Sequence, residues 1–510
     1  MTMNGIQNVG SQEGRSSLGT ARALPRLTAG STFLAAYLAF FFISKLLGFS
    51  SGYAPDDYVI LRQGDDAQLL KFFLSQGRYS TALVEAALQA CGLTMSAFST
   101  IGLVATGLFS GLFYRDAIRF QERSNVIQTI GVGALLGAHS YYTEYVSFRQ
   151  AALPMSLVFL GLWLSLRLYL KALPGPHNFP AILGSLILAT FVMGINQLAV
   201  SFVAIAVISV HTRRLLDSDM AHVRSSVPSW FYPPLYAALA GFVVIICNLV
   251  AAKLVMVFAD VSGNQRAALL PMELWQQRAG ELAMLLPKLW FKSETVASWP
   301  AKVLAIAAFV MLLASSHRKT GGNASLALST FAAATAAALV PTAASAEWWP
   351  VPRTLIAVPF ALAVAIAILN PRRGVMQSFA TGLLIASACL FSAHSQAILF
   401  NQQRLNRWDQ MQARDISQLA IQRFPASAAK IAIVEPEWSH EIAQDITQGD
   451  LNVSAFSVEW AVDPLFDEAT GRDHSVRVAP ELQDLCRSSH KYPDPSAIHE
   501  QNGEVVVCMH

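Results

Sequence analysis

Gly52-Tyr53-Ala54-Pro55-Asp56-Asp57-Tyr58, running on to Gly77-Arg78-Tyr79, follows the first apolar stretch of the chain (31–49) and decides how the rest is read. Two adjacent carboxylates stand a few residues beyond a segment long enough to cross a bilayer. Ionised side chains are strongly hydrated and gain nothing from lipid, so a polytopic protein that places them at this level holds them in a wet cavity. The pattern makes Asp56 and Asp57 the centre of a candidate catalytic site and the other apolar segments its walls. The competing explanation is a solvated loop, or a cap for a helix beginning beyond Pro55.

Composition supports the membrane setting. Of 510 residues, 54% are hydrophobic and 14% charged, and the mean hydropathy is +0.42. Soluble domains carry about a quarter charged residues. A net charge of +3 is too small to suggest a nucleic-acid partner. Residues 1–29, with Arg15, Arg22 and Arg26 among polar residues, predict a disordered cytoplasmic tail and no cleaved signal. The five cysteines have no metal-ligand spacing, and Cys486 and Cys508 are placed to pair if they face an oxidising compartment.

A span needs about 20 apolar residues, and candidates begin near 31–49, 95–113, 125–140, 151–169, 231–257, 301–316, 324–341, 352–369 and 374–398. The run 179–210 is too long for one span and fits two short ones turning at Asn196-Gln197. The total is about eleven spans of this kind. With the N-terminus cytoplasmic, every inside connection is basic (Arg115, Arg119, Arg123; Arg167, Lys171; Arg213, Arg214, Arg224; Arg318, Lys319; Arg372, Arg373). The outside connections carry the acids. The fold class predicted is a mainly α, polytopic membrane domain over 30–399 with a small α/β domain over 400–510 in the outer compartment. Within that last region a helix is expected over 404–424 and strands over 430–434, 451–458 and 504–509. Amphipathic patterns near 65–76, after Arg78 and over 271–290 predict helices lying on the outer leaflet.

The chemistry-bearing candidates all fall on the outer side. Asp56 or Asp57 could remove the proton from an attacking hydroxyl. Arg78 and Arg353 offer planar guanidinium forks that match phosphate oxygens, although an arginine can equally snorkel to headgroups. Tyr58, Tyr142, Glu144, Gln197 and Trp348 are candidates for contacting a sugar or an acceptor. Their plainer roles are an interfacial belt for the tryptophan, a loop acid for Glu144, and backbone satisfaction at the hairpin for Gln197. Outer carboxylates suit Mg²⁺ or Mn²⁺ through oxygen ligands, but no spacing demands a metal.

These features together resemble the polytopic GT-C glycosyltransferases, above all the bacterial glucosyl transferases that modify O-antigen in serotype conversion. The similarity rests on Asp56-Asp57 after the first span, Gly77-Arg78-Tyr79, Tyr141 to Glu144 with Ser147-Phe148-Arg149, Asn196-Gln197, Pro352-Arg353, Arg407-Trp408-Asp409 and Arg414-Asp415. It covers roughly 30–420, and Asn196 stands where an aromatic residue is expected. What the resemblance implies is a polyprenyl-phosphate-sugar donor, a glycan acceptor, an active site on the periplasmic face of the inner membrane and inversion at the anomeric carbon. Competing classes are a flippase or exporter of lipid-linked glycans, which would need charges deep within spans, and an assembly protein that binds partners through its outer domain. A membrane O-acyltransferase would need a histidine deep in a span, and His139 is the nearest.

Overall fold

The computed structural model describes residues 28–49, 52–62, 66–120, 126–173, 178–217, 229–263, 268–294, 296–317, 321–369, 374–436 and 452–509. The predicted tail lies almost wholly outside these residues, as do Asp65, Arg123, Arg224, Arg318, Lys319, Arg372 and Arg373.

The described chain is mainly helical. It runs through α1 (Ala29–Lys45), α2 (Pro55–Arg62), α3 (Asp66–Ser75), α4 (Tyr79–Gln89), α5 (Ser99–Ile118), α6 (Val126–Ala138), α7 (Tyr141–Ser147), α8 (Ala152–Ala172) and α9 (Phe179–Ile195). It continues through α10 (Ala199–Asp217), α11 (Tyr232–Phe258), α12 (Trp275–Trp290), α13 (Trp299–His317), α14 (Gly321–Ala344), α15 (Val358–Ile368) and α16 (Val375–Arg423). The helices α1, α5, α8, α10, α11, α13, α14 and α16 are long and apolar enough to cross a membrane, and α6, α9 and α15 are shorter apolar helices. Leu239, Phe242, Leu254 and Val257 of α11 are all exposed, a pattern that lipid tolerates and water does not. This is the architecture of a polytopic membrane protein.

The run 179–210 does divide in two. Asn196 breaks it between α9 and α10, and its Oδ1 accepts the Leu198 N–H at 3.0 Å, giving the turn's backbone a partner where lipid offers none. Elsewhere the bundle depends on close approach. A Cβ at Gly137 of α6 would stand 2.3 Å from the Tyr37 carbonyl oxygen, and one at Gly133 would stand 2.8 Å from that of Phe33. Glycine lets α1 and α6 touch backbone to backbone. At the end of α1, the buried Lys45 Nζ donates to the carbonyls of Ala138 (3.2 Å) and His139 (2.9 Å), giving the last carbonyls of α6 a side-chain partner.

The two ends of the bundle differ. Arg115, Arg119, Arg167, Lys171, Arg213 and Arg214 gather at one end, where Asp116 pairs with Arg115 and Arg167. The opposite end carries α2, α3, α4, α7 and α12. In α4 and just beyond it, the apolar positions Val84, Ala87, Leu88 and Cys91 are those expected to lie on the outer leaflet; Ala87 and Cys91 are exposed, and the helix buries Ser80, Thr81, Ala82 and Glu85. A helix whose outer solvent is lipid turns its polar side inward. In α3, Leu69 and Phe73 pack and Phe72 does not. In α12, Leu285 and Leu289 pack, and the buried Arg278 donates to carbonyls of Thr342 (2.7 Å) and Ser345 (2.8 Å) at the end of α14.

No break separates the last span from the helix predicted over 404–424. α16 continues for 49 residues, about 74 Å at 1.5 Å per residue, against about 30 Å of hydrocarbon. Beyond the apolar part, Gln402, Leu405, Asn406, Asp409, Ala413, Ile416, Ser417 and Ala420 are buried, a three-and-four spacing that defines one packed face. That face receives the C-terminal domain. Its sheet has the order β2-β1-β4-β3, built from β1 (Lys430–Val434), β2 (Ser475–Val478), β3 (Ile498–Gln501) and β4 (Glu504–Cys508). β1 pairs in parallel with β2 and β4, and β3 closes the edge antiparallel to β4. Of the strand predicted over 451–458, the described residues 452–458 are instead a loop with a 3₁₀ turn at Ala455–Ser457; there the chain binds α16 rather than a sheet edge. Between β1 and β2 lies α17 (Glu459–Thr470), and α18 (Gln483–Cys486) is joined to β4 by the Cys486–Cys508 disulfide.

Candidate active site

Pro55 takes the first position of α2, where its missing N–H costs nothing. Asp57 is two residues on and reaches back to the Ala54 N–H with Oδ2 at 2.9 Å, as an N3 carboxylate does in a capping box. It also accepts the N–H groups of Arg149 (3.2 Å, Oδ2) and Gln150 (3.1 Å, Oδ1). Asp57 is fully buried. Burial pushes its pKa up to about 6 against those three N–H groups, and neighbouring Asp56 adds to the rise. Asp56 is half-buried and accepts the indole N–H of Trp460 at 3.2 Å. The adjacent carboxylates thus have different tasks: Asp57 ties α2 to the turn after α7, and Asp56 faces the C-terminal domain.

A second cluster forms around Arg353. Its backbone N–H donates to Glu144 Oε2 at 2.6 Å, and its guanidinium stands 3.3 Å from Glu144 Oε1. The guanidinium also lies over the rings of Trp349 (4.6 Å) and Phe148 (5.2 Å). Beside it the Tyr145 hydroxyl accepts from Asn196 Nδ2 at 2.6 Å. Burial raises the Tyr145 pKa, and the Asn196 hydrogen bond, Arg353 and Arg78 act against that rise. Arg78 is exposed at the start of α4.

Three consecutive residues join the two clusters. Phe148 lies under Arg353, while the N–H groups of Arg149 and Gln150 hold Asp57. Arg149 also lies over the Tyr53 ring at 4.5 Å.

The other predicted contacts fall elsewhere. Tyr142 is buried in the aromatic core beside Phe41 and Phe159, with its hydroxyl bonded to that of Tyr114, so it lines no open site. Tyr58 is buried with the core of the C-terminal domain, and its hydroxyl accepts from Asn406 Nδ2. Glu144 holds Arg353 and is itself fully buried. Gln197 Nε2 donates to the Gln76 carbonyl at 3.4 Å, joining the hairpin to the turn before α4. Trp348 stacks on Arg278 at 4.8 Å, and it is Trp349 that stacks on Arg353. Tyr145 and Trp460 were not singled out from the sequence, and Trp349 was weighed with Trp348 as a belt residue or a sugar-stacking ring. Tyr145 adjoins Glu144 and Trp349 adjoins Trp348, but nothing in the residue pattern connects Trp460 with Asp56. Among the described residues no group of three His, Cys, Asp or Glu side chains is placed to hold a metal.

A cleft beside the aspartate helix is lined by Tyr53, Pro55, Asn406, Asp409, Asn452 and Ala455. Asp409 accepts from Ser454 Oγ (2.8 Å) and the Ala455 N–H (2.9 Å), fixing the C-terminal domain to α16. Burial raises its pKa to about 7, with those two donors opposing. Comparison with known proteins gives no match: no family model, no curated protein and no solved structure is significantly similar to this chain.

Proposed function

We propose that the chain is an inverting glycosyltransferase that moves a hexose, glucose by resemblance, from a polyprenyl-phosphate donor to a hydroxyl of a lipid-linked or cell-surface glycan such as O-antigen. In this proposal the N-terminus is cytoplasmic, all eleven apolar helices cross the bacterial inner membrane, and α2, α7 and the C-terminal domain face the periplasm. The bond between Cys486 and Cys508 supports an oxidising compartment for that domain.

The observation that carries the reading is the 148–150 turn, which holds Arg353 at one end and the aspartate helix at the other. A phosphate site and a carboxylate on one rigid turn suit a displacement with the leaving group and the base on opposite faces of a sugar. Arg78 and Arg353 bind the donor phosphate and neutralise the charge it gains on leaving. Asp56 takes the proton of the acceptor hydroxyl as its oxygen bonds to C1 and the C1–O bond to phosphate breaks. Asp57 and Glu144 position these groups.

The test uses purified protein in nanodiscs, a panel of polyprenyl-phosphate monosaccharides, and wild type beside Asp56→Asn. Release of polyprenyl phosphate that depends on one sugar, on acceptor and on Asp56 is the expected result. Movement of the donor across the bilayer without release would replace the enzyme by a flippase.

A further inference from the structure

Trp460 is the second residue of α17 and is 61% exposed. Other exposed tryptophans, such as Trp230 and Trp299, stand on or beside the apolar helices α11 and α13, where lipid solvates them. Trp460 differs. α17 buries Ala461, Val462, Leu465 and Phe466 inward, and Trp460 shares the outward side with exposed Glu459 and Glu468. A single exposed ring is ordinary on a protein surface; what sets this one apart is its tie to the aspartate pair. Its indole N–H is spent on Asp56 Oδ1 at 3.2 Å, which fixes the ring beside the carboxylate. The mounting is rigid, because Tyr58 of α2 is buried in the core of the same domain.

We propose that the C-terminal domain supplies the acceptor subsite, with Trp460 as the platform on which a pyranose ring of the acceptor glycan lies beside Asp56. The inference rests on the glycosyltransfer reading above for its chemistry. A pyranose has an apolar C–H face that packs on an aromatic ring and hydroxyls at its rim that need polar partners. Trp460, Asp56 and Glu459 provide that combination. The order of contacts also fits: Trp460 touches Asp56, Asp57 adjoins it and holds the 149–150 turn, and Phe148 next in line carries Arg353. The acceptor platform and the leaving-group cation are therefore joined through the carboxylate pair and the 148–150 turn.

Full-length wild type, Trp460→Ala and Trp460→Phe in nanodiscs would be titrated with labelled pyranose oligosaccharides of about two to six residues, without donor, with thermal unfolding confirming the fold. The expected result is that Trp460→Ala weakens binding about tenfold or more, as loss of an aromatic anchor does, while Trp460→Phe keeps most of it. In the transfer assay, Trp460→Ala should raise KM for acceptor and leave KM for donor unchanged. Equal binding by Trp460→Ala and wild type, no binding of any oligosaccharide by wild type, or a change confined to donor KM would each overturn the platform. Trp460-dependent glycan binding by a protein that never releases polyprenyl phosphate would support the platform and sink the transfer reading alone.

Discussion

Glu144 and Arg353 are 209 residues apart in the chain and meet twice, once through the Arg353 backbone N–H and once through its guanidinium. The double contact fixes both the position of the 3₁₀ turn at Pro352–Thr354 and the direction of its charge. Glu144→Ala would leave the cation between two rings with its buried acid partner gone. The expected loss is about 3 kcal/mol of stability, read by thermal unfolding, together with a higher KM for the lipid-phosphate donor. Arg353→Lys keeps the charge but loses the planar stack on Trp349 and Phe148, so donor KM should rise with a smaller change in unfolding.

Asn substitutions separate the two aspartates. Asp56→Asn should keep the melting temperature and abolish transfer. Asp57→Asn places an amide N–H₂ against one of three backbone N–H donors, at a cost of about 1–3 kcal/mol. Its expected signature is a lowered melting temperature accompanying any loss of activity. An unchanged transfer rate in Asp56→Asn would remove it as the base.

Gly137→Ala tests the contact between α1 and α6. The added methyl meets the Tyr37 carbonyl oxygen, which is backbone and cannot swing away. A loss of about 1–3 kcal/mol is expected. Gly107→Ala meets the Phe41 ring instead, and because that ring can shift, the loss in the same unfolding assay should be smaller.

The buried carboxylates set a pH dependence. Their folded pKa values, about 6 for Asp57 and about 7 for Asp409, lie above the ordinary carboxylate value. The folded protein therefore keeps protons that the unfolded chain has released. Stability from this source is complete below about pH 4 and is lost as pH rises through those folded values. Stability should fall by several kcal/mol between about pH 4 and 7 and level off above, read as a lowered melting temperature. Asp409→Asn, which keeps an acceptor for the Ala455 N–H, should flatten the upper part of that fall.

Much of the helical plan was legible because lipid imposes a simple rule. A polar pair inside an apolar run of some thirty residues had to mark a turn, and Asn196 does so. The faces of the short helices were harder to read. Spacing shows that α3 is two-sided but not which of its apolar residues meet protein, since lipid and core are equally apolar: Leu69 and Phe73 pack and Phe72 does not. The aspartate pair stood out, but the division of labour between its members depends on the Arg149 and Gln150 N–H groups and on Trp460, contacts that span 92 to 404 residues of chain. Tyr142 reads like a sugar contact and is a core residue, because aromatic residues serve both purposes with the same pattern. Between neighbours Trp348 and Trp349, only the fold decides which meets Arg353.

The unbroken course of α16 sets a torsional register as well as a height. Each residue of an α-helix advances the chain by about 1.5 Å and turns it by about 100°. One residue inserted just before Leu405 would swing Asp409, and the domain bound to it, about a quarter-turn around the axis while the bilayer holds the lower half still. Trp460 and the aspartate helix, which share the domain's core through Tyr58, would then turn away from the 149–150 turn that holds Asp57, although no loop had been touched. The bilayer therefore serves as the fixed jaw of a vice, and α16 is the screw whose thread keeps the two halves of the site in phase.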